Sequence, residues 1–352
     1  MPESAPRPNP PVLDPWPDRL RNLATIMVIG IHVSAPIAHA QGCDFIGSWW
    51  WAGNFWNSLT RPAVPLFVML SGYLLLSKDY VLPLFLKRRF ARVLIPAVFW
   101  MLIYSFYNFK ARGNPATIAD ALKGVITGPV HYHFWFIYLI IGLYLIYPVL
   151  RGWVRTAQES DYLYFLIMCA IGTWGYKILA VFAGIHLGIH FELFTNNCGY
   201  FVLGYYLGAR AEAHLPRLCT RSTAAWLIVL GTIATMGATY VLNVFFPADK
   251  TQTFFYDYLT PNVAVSATGW FLLVKIAFNR SPLLDIERDF SAASFGIYFV
   301  HVLVMDWWGK TGYWHSLHHP AFMAPILAAL IAMVSFMVIS LIRVMPGGQK
   351  IT

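Results

Sequence analysis

Charge is scarce in this chain. Only 12% of its 352 residues are Asp, Glu, Lys or Arg, about half the roughly 25% of a soluble globular domain. That shortfall, with 58% of the residues hydrophobic, excludes an ordinary soluble fold. Acidic residues are the scarcest class, 16 against 25 Lys and Arg, for a formal net charge of +9. A basic chain invites a nucleic-acid reading. No basic segment stands apart from the apolar blocks, however, so no nucleic-acid partner is expected and the excess is better explained by membrane topology. Cysteine is also rare. Cys43, Cys169, Cys198 and Cys219 show no paired metal-ligand spacing. Cys43 and Cys198 fall on one predicted side, where they either bridge or are two unrelated small apolar residues. The run "HSLHH" from His315 to His319 has no carboxylate or cysteine at ligand spacing, so no metal site is expected. Internal repeats and long polar domains are missing as well.

What the chain does have is apolar runs of membrane-spanning length. About ten stretches approach the roughly 20 residues a spanning helix needs. They are Leu20–Ala40, Phe55–Leu76, Arg92–Phe109, Tyr132–Leu150, Tyr162–Phe182, the short Asn196–Ala209, Thr223–Phe246, Tyr258–Phe278, Phe290–Trp308 and Ala321–Val344. The expected fold is therefore all-α, a polytopic transmembrane helix bundle. With the N-terminus inside, 18 of the 25 Lys and Arg fall on the inner side, 6 on the outer side, and Lys177 within a span. The positive-inside rule then puts both termini in the cytoplasm. Residues 1–18, rich in proline, read as a disordered cytoplasmic tail. Residues 19–345 read as one transmembrane domain and 346–352 as a short cytoplasmic tail. Ala38-His39-Ala40 resembles a signal-peptidase site, but the apolar core before it is long for a signal and a polar tail precedes it. The first stretch is expected to remain as a span.

Ionisable groups inside membranes are costly and mark functional paths. In "DRLRNLATIMVIGIH", Arg21 and His32 are eleven residues apart. That is three helical turns plus about 20°, one face, and a rise of about 16 Å. His32 falls near mid-membrane, where it is either a packing residue hydrogen-bonded between helices or a reactive group. The ninth stretch carries a polar stripe of Ser291, Ser294, Tyr298 and His301 at three- and four-residue steps. His301 lies at a depth similar to that of His32, so a polar cavity inside the bundle is expected. In "KRRFAR", Arg89 and Arg92 share a helix face next to Lys87 and Arg88, and guanidinium forks suit phosphate. The prolines of "RPAVPLFVMLSGYLL" break the helix ladder, and Ser71-Gly72 permits close helix contact or a ligand's approach. His133 and Trp135, at the predicted outer boundary, and the lone outer carboxylate Glu192 are candidates for an acceptor site.

In order, these segments resemble acyltransferase family 3, a family of integral membrane acyltransferases. "DRLRNLATIMVIGIH" is similar to its opening span with an Arg-x10-His pair, "RPAVPLFVMLSGYLL" to its second span, and "RFAR" to its Arg-x-x-Arg. "HFWFIYLIIGLYLIYP" and "SFGIYFVH" resemble later segments, so the likeness runs from about Asp18 to Val344. The chain looks most like members that O-acetylate bacterial surface glycans, including enterobacterial common antigen. Some members carry an added SGNH-type hydrolase domain; without one, hand-off is expected within the membrane domain.

The resemblance implies an O-acyltransferase of the bacterial inner membrane. Acetyl-CoA would be the donor, a hydroxyl of an extracytoplasmic or lipid-linked glycan the acceptor, and no metal would take part. It implies that Arg21, Arg88, Arg89, Arg92 and Ser71 hold the donor. His32 would act as general base or transient acyl carrier, aided by His301 and Tyr298. His133, Trp135 and Glu192 would meet the acceptor. A proton-coupled transporter or flippase using the same histidines is the alternative, and a glycan polymerase a more distant one. A homo-oligomer is compatible with the sequence.

Overall fold

A computed structural model describes residues 14–39, 47–112, 128, 130–188, 196–246, 250–310 and 319–352. Among them there is no strand, and nine helical segments are long and apolar enough to cross a bilayer. The fold is an all-α transmembrane bundle.

Helix α1, Trp16–Ala38, lies at the centre. It packs against α2 (Ser48–Thr60), α3 (Ala63–Leu76), α10 (Pro261–Phe278), α11 (Asp285–Lys310) and α12 (Pro320–Val344). Around these stand α4 (Leu82–Arg112), α5 (Trp135–Thr156), α6 (Glu159–Ala170), α7 (Tyr176–Phe182), α8 (Asn196–Ala209) and α9 (Arg221–Phe245). A π-helical turn, Ile171–Gly175, joins α6 to α7.

The second predicted stretch is two helices. The ladder breaks at Arg61-Pro62, as the missing proline N–H requires. Arg61, one of the six Lys and Arg counted on the outer side, is buried at the break. Its Nε donates to Asn57 Oδ1 at 2.7 Å and its guanidinium sits 4.7 Å over the Tyr256 ring. The third stretch begins ten residues earlier than its apolar run, because Leu82–Ala91 continues the same helix. Lys and Arg stems snorkel along such a helix, so charge does not end it.

The sixth stretch forms α8, 14 residues long, shorter than the other spans and wedged against α3. The two helices approach through glycines. A Cβ at Gly72 would lie 1.7 Å from the Phe201 carbonyl oxygen, and one at Gly204 would lie 1.9 Å from that of Met69. This is the small-residue contact expected of helices in lipid, where packing replaces the hydrophobic driving force. Gly72 serves the contact and leaves Ser71 on the neighbouring face.

The segment after α12 is not a free tail. Gly347 takes a left-handed φ of 80°, and Gly348 packs where a Cβ would meet the Ile342 carbonyl oxygen at 1.7 Å. The chain thus folds back, and Trp100 Nε1 donates to the Ile351 carbonyl oxygen at 2.8 Å. Cys43 and most of residues 1–18 lie outside the described residues.

Candidate active site

One cavity of about 880 Å³ runs between α1, α3, α4, α5, α11 and α12, within the roughly 300–1,000 Å³ of small-ligand sites. Its two ends differ in chemistry.

The basic end is built on the α1 N-terminus. Arg21 Nη1 donates to Asp18 Oδ1 at 2.6 Å and to Ser291 Oγ at 2.6 Å, and Ser291 Oγ donates to the same Asp18 oxygen at 2.6 Å. Asp18 stands three residues before Arg21, one helical turn. Ser291 comes from α11, so the triangle fixes α1 against α11. The neighbouring Arg19 forms a two-pronged ion pair with Glu287, both contacts 2.8 Å. Arg89 and Arg92 on α4 line the same end, as do Arg288, Arg343 and Lys350. Arg288, Arg343 and Lys350 are thus lining cations beyond those expected from the sequence to hold the donor.

The other end is imidazole-rich. His32 on α1 and His301 on α11 have ring centroids 5.3 Å apart. His133 lies 5.8 Å from His301, and Tyr132 lies 5.2 Å from His32. His133 arrives on a short 3-10 turn, Tyr132–Phe134, that precedes α5. Its Nδ1 lies 3.0 Å from Nδ1 of His131. The Tyr298 hydroxyl donates to the His133 carbonyl oxygen, tying α11 to this turn. His301 Nδ1 is 2.7 Å from the Tyr298 carbonyl oxygen and 3.2 Å from that of Ile297. Carbonyls accept only, so the neutral His301 ring carries its proton on Nδ1 and Nε2 keeps its lone pair. Nε2 of His301 and of His133 are buried without a hydrogen-bond partner. Buried polar atoms of this kind are rare and call for an explanation.

The structure brings Arg21, Ser71, Arg89, Arg92, His32, Tyr298, His133 and Trp135 to one cavity. His301 stands behind His32, fully buried. Ser71 donates its hydroxyl to the Phe67 carbonyl at 2.8 Å, as a helix-borne serine often does. Trp135 stacks on Tyr258, centroids 5.5 Å apart. Arg88 is exposed and does not line the cavity. His133 is 2% exposed, deeper than its expected place at the outer boundary, because the 3-10 turn folds it inward. Glu192, His315 and His318 lie outside the described residues. His319 caps α12, bonding Ser48 Oγ at 2.9 Å. Among the described residues no group of three His, Cys, Asp or Glu could hold a metal ion.

The sequence signal for Asp18 was its i, i+3 spacing to Arg21, and that for His131 the His-Tyr-His run. Arg288, Arg343 and Lys350 had no local signal.

The family model described as an acyltransferase domain, that of acyltransferase family 3, matches residues 14–344. The chain belongs to acyltransferase family 3. It is a multi-pass membrane acyltransferase of the O-acyltransferase kind, and the family match spans every helix that lines the cavity. No curated protein and no solved structure matches the chain.

Proposed function

We propose that this acyltransferase moves an acetyl group from cytoplasmic acetyl-CoA to a hydroxyl of an extracytoplasmic or lipid-linked glycan, in the bacterial inner membrane with both termini inside. The observation that carries the reading is the cavity with arginines at one end and histidines at the other. Arg21 and His32 lie on one helix eleven residues apart, about 16 Å of rise. An extended pantetheine arm is of comparable length. Phosphates held by Arg21, Arg89 and Arg92 therefore leave the thioester beside His32.

A mechanism follows from the imidazole end. A neutral His32 takes the proton of the acceptor hydroxyl as its oxygen attacks the thioester carbonyl. The C–S bond breaks, the acetyl group stays on the acceptor oxygen, and the imidazolium returns its proton to the sulfur as CoA leaves as a thiol. In the two-step version a neutral His32 nitrogen attacks first, the ring's N–H proton passes to the sulfur as CoA leaves as a thiol, and the acceptor hydroxyl then takes the acetyl while its proton returns to the imidazole. His301, its Nδ1 proton held by the Tyr298 carbonyl, keeps an unpartnered Nε2 lone pair beside His32, free to accept a proton or an N–H as the His32 ring becomes charged. Tyr298 in turn fixes His133 at the acceptor end, with Trp135 beside it.

The test is to incubate purified protein with acetyl-CoA and a membrane glycan extract, wild type beside His32→Ala. Thiol release that requires His32, with acetyl appearing on the glycan, supports the reading. Acetyl found on the wild-type protein selects the two-step version. No CoA binding and no turnover would refute the donor assignment.

A further inference from the structure

Two groups of cations meet at the basic end, and they come from different parts of the chain. Arg21, Arg89 and Arg92 form one group on α1 and α4. Arg288 on α11, Arg343 at the end of α12 and Lys350 on the folded-back segment form the other. Resting on acetyl-CoA as donor, we propose that Arg288, Arg343 and Lys350 form a separate subsite for the ribose 3′-phosphate of the donor, while Arg21, Arg89 and Arg92 take its diphosphate.

The argument is one of levels along the bundle. Ser291 bonds Arg21, so the two share a level. Arg288 precedes Ser291 by three residues on α11, nearly one turn or about 4.5 Å farther from the histidines. Arg343 is the penultimate residue of α12. Its Nη1 donates to the Ala292 carbonyl at 2.8 Å, which anchors the guanidinium next to Ser291 and leaves its other N–H groups for a ligand. Lys350 lies beyond the end of α12, set by the Gly347-Gly348 turn and by the Trp100 bond to Ile351. Arg288 and Lys350 therefore sit outside the level of Arg21, and Arg343 reaches in from beyond the end of the bundle to about that level. In the donor, the 3′-phosphate lies on the far side of the diphosphate from the thioester. The order thioester, diphosphate, 3′-phosphate matches the order histidines, first group, second group.

Charge supports the same division. Arg343 and Lys350 form no ion pair among the described residues, and Arg288 has only an exposed pair with Asp285 at 3.1 Å, a weak competitor. A single diphosphate would leave these cations crowded around the mouth without a counter-charge. A phosphomonoester brings roughly −1.5 to −2 of charge and several strong acceptor oxygens.

The experiment is calorimetric titration of the purified full chain with CoA and with dephospho-CoA, which lacks only the 3′-phosphate. Wild type should bind CoA about tenfold or more tightly than dephospho-CoA, the worth of a charge-assisted phosphate contact. Arg343→Gln with Lys350→Gln should collapse that ratio toward one, chiefly by weakening CoA. Arg89→Gln with Arg92→Gln should weaken both ligands and keep the ratio. An unchanged ratio in the first pair, a collapsed ratio in the second, or a wild type that binds both ligands equally overturns the subsite. A wild type that binds neither ligand refutes the donor reading itself, and the subsite with it.

Discussion

His32 and His301 reach each other from two helices separated by most of the chain, and their ring centroids stand 5.3 Å apart with planes inclined by 32°. His32 lines the cavity while His301 is fully buried behind it. On the proposed mechanism this geometry gives His32 the contact with substrate and His301 a supporting place. His32→Ala should abolish acyl transfer while the protein still inserts and folds. His301→Ala should lower kcat by about 100-fold, the lower end of what a positioned acid–base system contributes, with little change in KM for the donor. Steady-state assays of thiol release separate the two outcomes, and an equal rise in KM would place His301 in donor binding instead.

The Asp18–Arg21–Ser291 triangle predicts a different kinetic signature. Ser291→Ala removes one of the two acceptors that aim Arg21. We expect KM for acetyl-CoA to rise severalfold, in line with roughly 1 kcal/mol per lost hydrogen bond, and kcat to stay near wild type. A fall in kcat alone would mean that the triangle serves the chemistry and not the donor.

Gly72 and Gly204 predict a stability effect without a chemical one. Gly204→Leu must push α8 off α3, since even a Cβ would sit 1.9 Å from backbone. Overpacking costs typically about 1–3 kcal/mol and more where backbone must move. The melting temperature in detergent should drop by several degrees or the protein should fail to fold. Gly142→Ala, where a Cβ would meet nothing within 4 Å, is the matched control and should melt as wild type does.

His39, just past the end of α1, predicts a pH dependence. Arg61 Nη2 donates to its Nε2 at 3.4 Å, which requires a neutral ring. Partial desolvation and the Arg61 charge push its pKa down to about 4, below the 6.5 of a free histidine. The unfolded chain therefore binds a proton that the folded one refuses between those values. Stability should fall as pH drops from about 6.5 to about 4, and level off below. His39→Gln should flatten that part of a melting-temperature profile; an unaltered slope would assign it to other groups.

Much of the site was legible because it obeys helix arithmetic. Arg21 and His32 share a face by spacing, as do Arg89 and Arg92, and the polar stripe leading to His301 needs only a period of 3.6 residues. The spans were legible as apolar runs, except where snorkelling cations hid the first ten residues of α4 and where Pro62 split one span in two. What stayed hidden depends on tertiary placement. Nothing local to residues 131–133 says that a 3-10 turn folds His133 under His301. Nothing near Arg288, Arg343 or Lys350 says that they converge, because convergence is a property of three helix ends and a turn. Arg61 shows the converse: a cation that looks like a loop charge is buried on aromatic rings.

The fold-back after α12 has a practical corollary for anyone handling the protein. Gln349, Lys350 and Thr352 line the cavity itself, and the Trp100 bond holds Ile351 inside the bundle. A polypeptide fused after Thr352, an affinity tag or a fluorescent reporter, would start beside the basic end of the cavity and crowd it. Donor affinities should therefore be compared on protein that carries no such fusion.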